Sequence, residues 1–278
     1  GGSGCLGETI VRTLCARGDD VRVFDLVDNA DRVGHVEFVR GDIRDAAAVR
    51  RALEGVQVVH HDVAQVPLAK DRRQFWSVNV EGTRLLLDAA LRAGVEKVLL
   101  VSSSAIYGIP ARNPVDLDVR PNPREAYGRA KLEGERVAEE YVARGLDVSI
   151  VRPRTVLGHG RLGIFQILFE WIRRGRPIYT LGDGHNRYQF VHADDLADVC
   201  LRADRLAGPR VLLAGTDRFG TMRELLTGLS LHAKTGSPVR ALPFRPPQLA
   251  MAATSKLRLS PPGDYHTLHT PCPNCASV

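Results

Sequence analysis

No run in this sequence is long and apolar enough to span a bilayer, which excludes a membrane-spanning helix. Cysteine is scarce, five in 278 residues, and the spacing makes no disulfide framework. Cys5, Cys15 and Cys200 fall in apolar-patterned segments and read as small buried hydrophobes of a reducing compartment, so the cytoplasm is the expected location. Cys272 and Cys275 form a CPNC pair close to His266 and His269. That is half a metal knuckle without a second pair, so no metal is expected. Lysine is nearly absent, with five against 33 arginines, and the net charge is +6. Arginine grips anions in a planar fork, so an anionic small molecule suits this composition. No stripe of interleaved basic and aromatic residues points to nucleic acid. No signal peptide and no internal repeat is visible.

What is present is an alternation of apolar runs and amphipathic stretches. Glu8 to Ala16 has helical spacing, and Asp20 to Leu26 is a β-branched run. VEFVRGD follows, then a short helix from Ala46 to Leu53 and a buried strand from Val56. A long helix spans Phe75 to Ala93, and an apolar run from Lys97 ends in Ser102, Ser103 and Ser104. Ala126 to Arg144 is helical, and a strand starts at Leu146. This rhythm predicts a parallel sheet covered on both faces, with right-handed crossovers. After Pro153 glycine and proline become frequent. Helices are expected from Ile164 to Arg173, from Asp194 to Asp204 and from Thr221 to His232, the last with a Thr221/Glu224 capping box. The expected organisation is a nucleotide-binding domain over residues 1–153. A substrate lobe over 154–260 is interleaved with the last sheet strands, and the tail over 261–278 is irregular.

The sequence opens with GGSGCLG. Glycines let a backbone turn tightly against a pyrophosphate, and a following helix points its N–H groups at the anion. Asp25 closes the next strand about twenty residues on, where an acid binds the adenosine ribose. Its charge favours NAD over NADP. Asp42 and Ile43 are candidates for the adenine site, and Asp42 suits equally well as the N-cap of the next helix. Tyr127 and Lys131 stand one helical turn apart and face the same way. A buried ammonium beside a phenol makes the phenol a usable base. A serine at the preceding strand end could hold the substrate oxygen there.

Taken together these residues resemble an extended short-chain dehydrogenase/reductase of the NAD-dependent epimerase/dehydratase family. Gly1, Gly4 and Gly7 match its glycine motif. VVHHDVA from Val58 matches its strand and cofactor-lining loop, and Asn79-Val-Glu-Gly-Thr83 its NVxGT helix. SSSAIYG from Ser102, Tyr127 with Lys131, RPRTVLG from Arg152 and RYQFVHADDLA from Arg187 match further motifs. The resemblance covers about residues 1–235. It implies a Rossmann-type doubly wound parallel sheet with a smaller C-terminal substrate lobe, and NAD as cofactor. Gly1, Gly4, Cys5, Leu6, Asp25, Asp42, Ile43, Val63, Ala64, Asn79 and Lys131 would contact that cofactor. Ser103, Tyr127 and Lys131 would be catalytic, with Ser104 as the alternative hydroxyl. Ser104, Arg154 and Arg187 would meet the substrate, although Arg187 reads equally well as a surface residue. A homodimer through the helices near Phe75 and Ala126 is the implied assembly.

Three departures from the family pattern stand out. Ser104 and Ala105 occupy the places of the Asp-Glu pair of sugar-nucleotide dehydratases, so elimination lacks its general acid. His61 and Asp62 stand where small residues are usual and read by default as a satisfied His-Asp pair. The glycine loop has no strand before it, so the expectation is a fragment that lacks the first, central strand and binds cofactor poorly. The expected activity is epimerisation of a nucleotide-linked sugar by transient oxidation. The alternatives are a dehydrogenase or reductase of a sterol-like or other non-sugar alcohol, and a silent NAD-binding or scaffold protein.

Overall fold

The computed structural model describes residues 1–242 apart from 30–31, 33–35, 67–72, 111 and 159–164. The CPNC tail therefore lies outside the described residues. The first half runs α1 (Cys5–Arg17), β1 (Val21–Asp25), β2 (Val36–Arg40), α2 (Ala46–Ala52) and β3 (Val58–His61). Next come α3 (Arg73–Trp76), a π-turn (Ser77–Gly82) and α4 (Thr83–Ala93). β4 (Lys97–Val101), a 3-10 turn (Ser104–Tyr107), α5 (Ala126–Val142) and β5 (Val148–Pro153) complete it. The second half holds β6 (Thr155–Leu157), α6 (Phe165–Arg173), β7 (Ile178–Leu181), β8 (Phe190–His192) and α7 (Ala193–Ala203). It ends with β9 (Val211–Ala214), α8 (Met222–Ala233) and β10 (Val239–Leu242). Thr221 and Glu224 form the expected capping box on α8.

β3, β4, β5 and β9 make a parallel sheet in the order β3-β4-β5-β9, and β1 and β2 form a separate parallel pair. Near-continuous apolar runs such as Lys97–Val101 suit strands covered on both faces. On one face Val49, Leu87, Ala90, Val137 and Ala138 from α2, α4 and α5 join Val98, Leu100 and Ile150 in one core cluster. On the other, Leu6 and Ile10 of α1 meet Leu196, Ala197 and Cys200 of α7 over Val151. Cys200 is buried as expected, while Cys5 and Cys15 are only half-buried. In the second half β6 pairs with β8 and β7 with β10, both parallel. These three- and four-residue strands are too short to show a period.

The helix expected from Phe75 to Ala93 is not uniform, because the π-turn interrupts it. Its cause is visible in the packing. A Cβ on Gly134 of α5 would stand 2.8 Å from the Asn79 carbonyl oxygen, so α5 presses onto that turn. The displaced carbonyl accepts a bond from Thr83 Oγ1 at 2.9 Å. Such bulges recur at functional sites.

β1 pairs with β2 and β3 with β4, each along one edge. Among the described residues nothing pairs with the other edges. Both strands line a cavity of about 880 Å³, walled by Ile10, Val11, Val49 and Leu53 among others. At its rim the Gly1 nitrogen donates to the Phe24 carbonyl at 2.8 Å. The slot lies between β1 and β3 and is lined by apolar side chains such as Val23 and Val59 together with charged ones such as Arg17, Asp19 and Asp204.

Candidate active site

The site is built at the C-terminal edge of the sheet, where open α/β sheets bind ligands. The glycine loop arrives there under tight contact. A Cβ on Gly1 would lie 2.7 Å from Asp62 C and Val63 N, and one on Gly7 would lie 2.3 Å from Gly1 O. The N-cap of α1 is Gly4, which has no side chain to cap the helix start. Such a helix start attracts an anion. Asp25 faces this loop and accepts from Ser3 N at 3.1 Å. The loop and acid thus fit a dinucleotide, with pyrophosphate at α1 and ribose at Asp25. Leu6 is buried in the core, so only its backbone faces the loop. Arg32, absent from the sequence reading, donates to Ser3 Oγ at 2.9 Å. Glu8 and Asp28 already pair with it, so it offers no free cation to an extra phosphate.

Asp42 is not the N-cap of α2. That place belongs to Asp45, which accepts from Ala47 N and Ala48 N. Asp42 instead accepts from Arg44 Nε at 2.9 Å. Ile43 is a core residue, 4% exposed, and a Cβ on Gly82 would lie 2.6 Å from it. It has little surface left for an adenine ring.

β4 ends at Val101, and its continuation carries the three serines. Ser102 is buried and donates to Glu135 Oε1. Ser103 caps the 3-10 turn and accepts from Ala105 N at 3.1 Å. Ser104 opens that turn. Tyr127 sits at the start of α5 with its ring edge-on to Phe75, centroids 6.1 Å apart. One turn on, Lys131 is buried and its Nζ donates to Val101 O at 2.8 Å. The amine is thereby fastened to the strand end two residues before Ser103. One further turn along α5, Glu135 takes two prongs from Arg152, at 3.1 Å to Oε1 and 2.7 Å to Oε2. Arg152 Nη1 also donates to Tyr107 Oη at 2.8 Å. This buried network ties α5, the serine turn and the end of β5 into one frame. The sequence reading missed Glu135, and placed Tyr107 and Arg152 in motifs without giving either a role. The 127, 131, 135 spacing was the available signal.

The loop after β3 is held from the π-turn. Asn79 Oδ1 accepts from Gln65 N at 2.8 Å and Nδ2 donates to Gln65 O at 3.0 Å. Asn79 thus uses its amide to hold the loop that carries Val63 and Ala64. No hydrogen bond joins His61 to Asp62, since His61 Nδ1 and Asp62 Oδ1 are both buried without a partner. His61 Nε2 stands 2.9 Å from Thr83 Oγ1. The single Thr83 proton goes to Asn79 O, so the imidazole proton lies on Nε2 and the ring is neutral. Burial, reinforced by the Lys131 charge, brings the His61 pKa down to about 3. The unfolded chain takes up this proton near pH 6.5, so acidification from about pH 6.5 toward 3 favours unfolding. The expected slope is about 1.4 kcal/mol per pH unit. In His61→Gln the acid limb of stability against pH should flatten. Burial shifts the Asp62 carboxyl upward, but that group is common to both proteins. Identical acid limbs would refute the buried neutral ring.

Arg187 in the lobe is exposed, lies over the Phe219 ring at 4.5 Å and reaches Phe219 O at 3.5 Å. Arg154 follows β5 and is packed near Tyr188. Among the described residues no cluster of three His, Cys, Asp or Glu could hold a metal. No helix there is long and apolar enough to cross a membrane.

A family model matches residues 1–212, and it describes the NAD dependent epimerase/dehydratase family. The chain belongs to that family. Its cofactor is NAD, and its fold is the Rossmann-type sheet of the extended short-chain dehydrogenases. The similarity reaches well beyond the nucleotide half. An uncharacterized protein of Sinorhizobium fredii, y4nG, is 51% identical over 96% of this chain and 68% of its own. The UDP-glucose 4-epimerase of Mycolicibacterium smegmatis is 32% identical over 92% of this chain and 88% of its own. The human sterol-4-alpha-carboxylate 3-dehydrogenase, decarboxylating, is 30% identical over 84% of this chain and 66% of its own. Among solved structures, MoeE5 in complex with UDP-glucuronic acid and NAD superposes with a TM-score of 0.77 at 28% identity. It covers 87% of this chain and 83% of its own.

Proposed function

We propose that this family member is an NAD-dependent epimerase of a nucleotide-linked sugar. The observation that carries the reading is the Lys131 amine fastened to Val101 O, one turn from Tyr127 and two residues before Ser103. In this reading Ser103 holds the reacting hydroxyl and Tyr127 accepts its proton, while Lys131 favours the deprotonated phenol. Bound NAD supplies reversible hydride acceptance. The resulting keto-sugar turns over between the Ser104 turn and the lobe, with Arg187 on the nucleotide phosphates. Tyr127 then returns the proton to the oxygen on the inverted carbon. The absence of a carboxylate in the Ser104–Tyr107 turn argues against elimination, since no acid stands there to protonate a leaving water.

The 30% identity to the sterol-4-alpha-carboxylate dehydrogenase supports a second reading, net oxidation of a non-sugar alcohol by the same three residues. A panel of nucleotide sugars incubated with the protein and NAD separates the two. Interconversion of sugar epimers with no net NADH is the expected result. Stoichiometric NADH with a sterol alcohol, and none of the sugars converted, would replace the first reading by the second.

A further inference from the structure

Arg32 ties together the corner of the nucleotide half that holds Asp25. Its side chain is 7% exposed, and each nitrogen of its guanidinium has a partner. Nε donates to Glu8 Oε1 of α1 at 3.1 Å, Nη1 to Asp28 Oδ1 at 2.7 Å and Nη2 to Ser3 Oγ at 2.9 Å. The group lies over the Phe38 ring of β2, 5.7 Å from its centroid. It thus joins the glycine loop, α1, the chain after β1, and β2. The same Ser3 donates its backbone N–H to Asp25 Oδ2 at 3.1 Å. One residue therefore separates the arginine from the carboxylate assigned to the adenosine ribose.

A phosphate on the ribose 2′-hydroxyl would arrive in this corner, and a guanidinium is the usual receptor for it. Here the receptor is already filled. Against the one charge of Arg32 stand the carboxylates of Asp25, Glu8 and Asp28, so the corner is negative overall. An entering phosphate meets that repulsion, and it cannot take Arg32 without stripping Glu8 and Asp28 of their partner. Glu8 also lies in the first turn of α1, where a helix start favours an acid in its own right. A purely structural strap would join the same elements, so the deciding measurement is cofactor preference and not stability.

We propose that Glu8 and Asp28 set the cofactor preference of this chain by occupying Arg32, and that Arg32 is a latent receptor for the 2′-phosphate of NADP. The inference rests on NAD as the cofactor and on Asp25 as the ribose contact. Asp25 repels the extra phosphate, and the two further acids withhold the cation that would offset it. Their removal leaves Arg32 in place on Ser3 and Phe38 with two of its nitrogens open to an anion.

The test titrates NAD and NADP separately, by calorimetry, into the wild type, Glu8→Gln, Asp28→Asn and the double variant. Both substitutions keep the side-chain shape and remove the charge. The wild type should prefer NAD, and a wild type that prefers NADP overturns the inference at once. The double variant should gain at least about 10-fold in NADP affinity relative to NAD, the worth of one charge-assisted hydrogen bond. Each single variant should show part of that gain, and adding Arg32→Met to the double variant should abolish it. A preference within about twofold of wild type in all three variants would overturn the inference. So would a gain that survives Arg32→Met, because loss of negative charge alone would then explain it. Should the double variant fail to fold, Asp28→Asn with and without Arg32→Met decides, since the Asp28 side chain is 47% exposed and tolerates the change. A wild type that binds neither dinucleotide removes the cofactor site itself. That failure is seen before any variant is compared, and it ends the inference with the site.

Discussion

Tyr127→Phe is expected to lower NAD-dependent turnover by about 10²–10⁴-fold, the usual worth of a general base, while leaving the fold intact. The substitution keeps the ring, and with it the edge-on contact to Phe75. It removes only the phenol oxygen, the proposed acceptor of the substrate proton. The buried Lys131, held on Val101 O, stays where it is, so NAD affinity should change little. Turnover, a melting curve and NAD titration on the same two proteins check this. Turnover within about threefold of wild type would remove Tyr127 from the chemistry and favour a binding or scaffold role for the fold.

The second large effect concerns the slot between β1 and β3. Joining a five-residue β-branched strand ahead of Gly1 is expected to raise the melting temperature by about 10 °C or more and to tighten NAD binding. The slot is walled by Ile10, Val11, Val49 and Leu53. Each Val or Ile side chain that fills it should contribute about 1.5–3 kcal/mol. Backbone bonds to the two strand edges add about 1 kcal/mol each, and ordering each residue costs about 1–2 kcal/mol. A net gain of a few kcal/mol remains, and each kcal/mol shifts the midpoint of a chain this long by about 2–4 °C. NAD binding follows because the strand would enter the glycine loop directly and fix Gly1 against Asp62 and Val63, where its contacts are closest. Equal melting curves and equal NAD affinities with and without the added strand would show that the slot is not a strand site.

The parallel sheet was legible because its strands are buried on both faces and spell continuous apolar runs. Lys97–Val101 and Val148–Pro153 fall within the runs read from Lys97 and Leu146. The capping box at Thr221 and Glu224 was legible for a similar reason: the bonds are local, three residues apart. Less could be read past Pro153, where β6 and β8 have three residues each and pair only with each other. A strand that short carries no period, and its existence depends on a partner 35 residues away. The misreadings have the same origin. His61 looked like half of a His-Asp pair because Asp62 is its neighbour in sequence, whereas its real partner is Thr83, one helix later. Asp42 read equally as an adenine contact or a helix cap, and the cap is Asp45, whose carboxylate accepts from Ala47 N and Ala48 N.

Sequence alone determined the fold class, the glycine loop, the acid at Asp25 and the one-turn spacing of Tyr127 and Lys131. All of these are local or periodic, and spacing along a helix or strand converts directly into direction in space. Only the tertiary structure decided that Asn79 holds the loop after β3, that Arg152 is neutralised by Glu135, and that His61 meets Thr83. Those facts depend on which distant side chains arrive within about 3 Å of one another. That is set by how helices seat on the sheet, which no single segment encodes.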